Sequence, residues 1–204
     1  MSSSRPDVDA APGTNHTGRL VLTPRDRLAC PERAPLIATL MRAGLIARAL
    51  DADQRAFAVG AAFLDWVSFT GCAVAIEREP APGRPFCHVR LPPATDRPRL
   101  HRGRNTRPPC CPGCRARLDD WASALARLEP RQDTGLRCPA CGEARPPWDW
   151  DWRQHGGYAR RVIEIEEVFP GEAVPSDGLL ALLGESSGLP WCFFHIQDTT
   201  RIGV

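Results

Sequence analysis

The chain has 204 residues, room for one domain with its own core and a small inserted module. A net charge of +2 says little about the partner. All 26 basic residues are arginine and none is lysine, and 21 Pro and 17 Gly accompany them, so the arginine content reads as a coding bias rather than a selected chemistry.

In chain order, residues 1–19 are polar and rich in Pro, Gly and Ser, and read as a disordered tail. They lack the apolar stretch of a signal peptide, and no run in the chain is long enough to span a bilayer. A cytoplasmic location is expected, with the nine cysteines held as reduced thiols or metal ligands and no membrane partner. Residues 20–96 read as an N-terminal α+β half. Leu20 to Leu22 make a short strand. Leu36, Ile37, Leu40, Met41, Ile46 and Leu50 trace one helical face over residues 35–50. A second helix is expected from an Asp53 cap, with Phe57, Ala61, Leu64 and Val67 along one side and Gly60 against it. Residues 72–76 and 86–91 are β-like runs flanking a Pro- and Gly-rich loop, the pattern of a hairpin. Cys87 and His88 would point to opposite faces of that strand, so Cys72, Cys87 and His88 read as core and strand residues rather than a second metal site.

Residues 97–117 hold Arg97, Arg99, Arg102, Arg104, Arg107, Arg115 and Arg117 with no acid, where the average composition would place about 2.7 Arg and 2.5 acids. A guanidinium suits bidentate contact with phosphate, so this basic arm is a candidate nucleic-acid surface. The alternatives are a solvated linker, or a face paired with the seven acids of residues 162–204.

The arm runs into Cys111-Pro112-Gly113-Cys114, which is followed after 23 residues by Cys138-Pro139-Ala140-Cys141. Two sulfurs two residues apart can reach one ion from one tight turn. Proline presets φ in such a turn, and Gly142 can relax the chain after it. Two turns give four thiolates, the closed tetrahedral set of one structural Zn²⁺, with iron the competing ion. Cys110 would make a pair with three intervening residues and is expected to stay outside the set. Between the knuckles Leu118, Trp121, Leu125 and Leu128 form one apolar helical stripe, with Asp119 and Asp120 in its first turn and Pro130 at its end.

These knuckles resemble the zinc-ribbon class over about residues 105–147, a likeness that implies the module's fold and metal without a function. They are also similar to the knuckles with which rubredoxins hold iron. Here, however, Arg115 stands where that family has glycine, and a helix pattern replaces its aromatic core.

Beyond the second knuckle come Trp148, Trp150 and Trp152, alternating with Asp149 and Asp151. An extended chain would put the three indoles on one side, either as a stacking surface or, the favoured reading, as the seam between two modules. Residues 162–169 alternate like a half-exposed strand. Ser176 or Asp177 caps a helix containing Leu179 and Leu183, and residues 191–196 read as a strand buried on both faces. Gly184, Ser186 and Gly188 spell a nucleophile-elbow pattern, but a helix precedes the serine where the elbow requires a strand.

The fold expected is α+β. A small mixed sheet is built from both ends of the chain, with the four-Cys ribbon and its basic arm inserted at residues 97–147. A C-terminal strand-helix-strand unit in residues 148–204 completes the main domain. The function expected is that of a non-catalytic cytoplasmic zinc protein serving as a macromolecular interaction module. A protein partner is favoured over nucleic acid because the arm is short and the remainder near neutral. The alternative is an enzyme with a purely structural ribbon and catalytic groups drawn from His155, Asp149, Asp151 or His195.

Overall fold

The computed structural model describes residues 18–70, 76–80, 84–128 and 135–198; the expected N-terminal tail lies almost wholly outside them. The first half contains β1 (Arg19–Pro24), α1 (Arg33–Arg42), β2 (Ile46–Ala49), β3 (Ala56–Val59), α2 (Phe63–Trp66), β4 (Val67–Phe69) and β5 (His88–Arg90). Next come β6 (Arg99–His101), α3 (Trp121–Leu128), β7 (Leu136–Arg137), β8 (Ala144–Arg145) and β9 (Gly157–Ala159). The chain closes with β10 (Ile163–Glu166), β11 (Ala173–Pro175), α4 (Asp177–Ser187) and β12 (Trp191–Ile196).

Six strands form one sheet in the order β12-β1-β10-β5-β3-β2, so both ends of the chain contribute, as expected of an α+β fold. The expected mixed sheet is corrected: every strand pairing among the described residues is antiparallel. Period two along the strands sends Leu20, Leu22, Val89, Ile163 and Ile165 to one face, into a single core with α1 and α4. The C-terminal crossover exists, but β1 lies between its two strands. Both β10 and β12 run antiparallel to β1 and therefore parallel to each other, one strand apart. Within it the Ser176 hydroxyl accepts from the Leu179 N–H, and Gly188 ends α4 at φ +70°. Ser186 lies inside α4, its hydroxyl 2.9 Å from that of Thr39, so the elbow geometry is absent.

Other expectations change for tertiary reasons. The helix read over residues 35–50 stops at Arg42. Gly44 takes φ +67°, Leu45 N–H reaches back to the Leu40 carbonyl, and the chain turns into β2. The helix expected after Asp53 is instead β3, a turn at Gly60 and the single turn α2. Gly60 donates to the Leu45 carbonyl at 2.8 Å, and a Cβ there would fall 2.1 Å from the Gly44 oxygen. Only glycine lets these two turns meet. Of the expected hairpin, residues 72–75 lie outside the described residues. Its second arm is β5, which pairs with β3 and β10. Cys87 is a core residue, its thiol pushed up to about 12 chiefly by burial.

The expectation of a half-exposed strand at residues 162–169 also fails. β10 lies between β1 and β5, and Glu164 and Glu166 are 5% and 6% exposed. Arg19 Nη1 approaches Glu164 at 3.7 Å, Arg90 Nη1 approaches Glu166 at 3.2 Å, and His101 of β6 lies over the same face. Burial raises the Glu164 carboxyl above the ordinary range, with Arg19 opposing. β12 is covered on both faces as expected, with Phe194 and Ile196 buried on one and Trp191 and His195 on the other, although it is an edge strand whose ladder partner among the described residues is β1.

Candidate metal centre

A second apolar cluster, separate from the sheet core, surrounds the knuckles. Cys111, Leu118, Leu136, Cys138, Trp150, Trp152 and Tyr158 are buried in it, and α3 lays Trp121, Leu125 and Leu128 against it. The helical stripe is therefore realised, though α3 begins at Trp121 and none of its residues is fully buried. Asp119 and Asp120 precede the helix, and Pro130 lies outside the described residues.

The two knuckles repeat one backbone pattern. Cys111 N–H donates to the Ala116 carbonyl at 2.8 Å, and Arg115 N–H donates back to the Cys111 carbonyl at 2.9 Å. Cys138 N–H donates to Glu143 at 2.8 Å, and Gly142 N–H donates to Cys138 at 2.9 Å. Arg115 and Gly142 are the matching positions, and both take left-handed φ, +64° and +75°. The departure visible in the sequence thus puts a side chain where the fold asks for glycine. Arg115→Gly is expected to raise the stability of the metal-loaded protein by at most about 1 kcal/mol. Relief of the left-handed backbone exceeds the exposed Arg115–Asp151 ion pair that would be lost. A thermal midpoint that falls on this substitution would contradict that balance.

The four sulfurs of Cys111, Cys114, Cys138 and Cys141 all lie within 4.8 Å of one another. Cys111 Sγ is 3.8 Å from Cys141 Sγ, and Cys114 Sγ is 3.5 Å from Cys138 Sγ. Bonds of about 2.3 Å to one tetrahedral ion would put sulfurs about 3.8 Å apart, so this donor set fits a single metal. The backbone N–H of Cys141, then that of Ala140, aims at the Cys138 sulfur and draws that thiol down to about 6, favouring the thiolate a metal needs. Cys111 and Cys138 are buried while Cys114 and Cys141 are exposed, so the centre sits at the surface of its module. Cys110 is outside the set. It pairs through its backbone with Asp151, and its sulfur accepts from Arg153 Nη2 at 2.9 Å.

The arginines of residues 97–117 are all exposed, but they do not form one surface. Arg102 lies over the Trp121 ring at 5.8 Å, Arg115 pairs with Asp151 at 2.9 Å and Arg117 with Asp119 at 3.2 Å. Arg99 and Arg102 border an apolar recess of about 540 Å³ floored by Trp148, Tyr158 and Leu125. Arg104 and Arg107 line a different groove, and Arg97 sits just before β6. Glu164, Glu166 and Asp198, acids proposed to neutralise the arm, pair with Arg19 and Arg90 instead.

The tryptophans are not in one extended row. Residues Pro147–Asp149 form a single 3-10 turn, Trp152 Nε1 donates to the Pro147 carbonyl at 2.9 Å, and Trp152 meets Trp121 edge-on at 5.3 Å. Trp150 and Trp152 are inside the knuckle cluster at 3% and 5% exposure, which leaves neither an open face for a ring, while Trp148 is half-buried at its rim. Asp151, His155 and His195 line one groove, without Asp149. There the Asp151 carboxylate accepts from Arg115 Nη1 and the Arg153 N–H, each at 2.9 Å. His195 is buried with Nε2 2.8 Å from the Ala173 carbonyl. The basic groove itself escaped sequence reasoning because Arg153 and Phe193 are remote from the arm. Comparison with models of protein families, with curated proteins and with solved structures finds no match, so the four-sulfur geometry and the surface around it carry the functional reading.

Proposed function

We propose that this is a non-catalytic zinc protein of the cytoplasm, whose four-thiolate centre holds a small module in the shape through which a macromolecular partner is bound. The observation that carries the reading is the convergence of two short knuckles on one cluster of four sulfurs beside an exposed arginine-rich segment. Zinc is the ion proposed because two C-P-x-C turns making a closed four-sulfur set is the usual structural zinc site. Closed coordination leaves no position for a substrate, so the metal's role is to hold shape. No described helix is long and apolar enough to cross a membrane.

A second reading, an enzyme, is favoured by the shared groove of Asp151, His155 and His195. General acid–base chemistry needs groups free to exchange protons with a substrate. Asp151 is held by two donors and His195 by a carbonyl, so the binding reading is preferred.

Purification of the tagged protein from its own cells, with and without nuclease, tests the proposal. The expected result is a stoichiometric macromolecule that is lost when the metal is chelated. A protein that purifies alone under both treatments, or a partner indifferent to chelation, would overturn it.

A further inference from the structure

We propose that the groove lined by Arg104, Arg107, Arg153 and Phe193 is a track for single-stranded nucleic acid, an inference that rests on the interaction-module reading and names its partner. The groove measures about 1040 Å³, well beyond the space one phosphate needs, and three arginines line it from two separate chain segments. Its one acid, Asp151, is committed to Arg115 and to the Arg153 N–H, so the lining is cationic. Burial, and then the nearby charges of Arg107 and Arg153, keep His155 below the ordinary imidazole range, which shows how closely positive groups gather there.

The arginines are mounted on a fixed frame. Gly103 N–H donates to the Thr106 hydroxyl at 2.8 Å, and Arg104 N–H donates to the Gln197 carbonyl at 2.8 Å. Asn105 clamps the loop to the end of β12, its Nδ2 donating to the His195 carbonyl at 2.9 Å and its Oδ1 accepting from Gln197 N–H at 2.8 Å. Gly103 has no room for a side chain, since a Cβ would sit 2.2 Å from the Gln197 oxygen. Arg153 is held in a left-handed turn at φ +50°, with one arm of its guanidinium on Cys110.

Guanidinium forks suit the planar two-point recognition of phosphate oxygens. Several of them along one trough suit a run of phosphates better than a single one. Phe193 on the wall adds a half-buried aromatic ring, the second component of single-strand sites, where bases stack while arginines follow the backbone. A recessed trough accepts a flexible strand, whereas a duplex presents a convex surface to it.

Fluorescence anisotropy with labelled 12-nucleotide single-stranded DNA and RNA, titrated with the zinc-loaded full chain, tests this. Three phosphate contacts predict a slope of log affinity against log salt of about −2, or roughly a fifteenfold loss between about 50 and 200 mM salt. The double substitution Arg104→Gln with Arg107→Gln should weaken binding about tenfold or more at low salt and shrink the slope to about −0.7. The control pair Arg42→Gln with Arg48→Gln, on exposed positions of α1 and β2, should change neither. Phe193→Ala should weaken binding while leaving the slope in place. The inference is overturned if the folded protein ignores both strands at low salt, if the control pair loses as much as the groove pair, or if a duplex binds as tightly. Retention of a nuclease-resistant protein partner alongside no oligonucleotide binding would sink this inference and leave the module reading standing; the absence of either partner would sink both.

Discussion

Cys138→Ser is expected to strip the metal from the protein and to unfold the segment from Cys110 to Trp152 while the six-stranded sheet persists. Three sulfurs and a hydroxyl make a poor soft-ion site, and the lost ligand is the one whose thiolate the backbone of its own knuckle favours. The module has little else to hold it. Its cluster of fully buried residues is small, and α3 contributes none to it. In isolated zinc modules the apparent binding free energy is about 10–16 kcal/mol, and it doubles as folding free energy. Metal content per chain and limited proteolysis check the result. Cleavage should concentrate between the knuckles in the variant, and one retained metal with an unchanged thermal midpoint would refute the assignment. Cys110→Ser supplies the contrast, since Cys110 stands outside the sulfur set and its loss should leave the metal in place.

Arg19→Met is expected to destabilise the sheet at neutral pH, by less than the about 3–5 kcal/mol of leaving a buried charge wholly unpaired, because Arg90 Nη1 still reaches Glu164 at 3.8 Å and Glu166 at 3.2 Å. Arg19 is the cation of β1 that faces Glu164, Glu166 and Asp198 at once, and the two glutamate side chains are only 7% and 8% exposed. The pH dependence has a definite sign. Glu164 has a folded-state pKa raised above its unfolded value by burial, so the folded protein binds the extra proton. The associated stability is complete below the unfolded carboxyl pKa and is lost as pH rises through the folded one. Removing Arg19 takes away an influence that lowers that pKa, so the variant's deficit should shrink as pH falls from 7 toward 5. Urea unfolding at the two pH values measures it. A deficit that grows on acidification would show that Glu164 is not held in this way.

The four clustered cysteines, the capped helix α4 and the strand at β1 were readable from local pattern, because each depends on neighbours within a few residues. The glutamates of β10 were not. Their alternation is that of a surface strand, and only the arrival of Arg19, Arg90 and His101 from distant segments makes the polar face an interior one. The division of residues 35–50 into α1 and β2 was hidden for a similar reason. Gly60 has no room for a Cβ against the Gly44 oxygen, and Gly44 itself takes a left-handed turn beside Ala62, contacts that exist only once the two turns are packed together. Within the site, the arginine run was visible, but its seven members go to several places. Arg102 lies on Trp121, Arg115 and Arg117 pair with acids beside the first knuckle, and Arg104 and Arg107 meet Arg153 only through the folding of β12 against the loop.

The central place of β1 also governs the order in which the molecule can be assembled. Leu20 pairs with Ile165 on one side and His195 on the other, so a strand that leaves the ribosome early waits for partners synthesised far later. Both knuckles, and the tryptophans that pack on them, emerge in that interval. The knuckle module can therefore form during translation, while β1 stays unpaired until β10 and then β12 arrive. Such non-local pairing makes folding slow, and it leaves the apolar edge of β1 exposed to other nascent chains until the last strand docks.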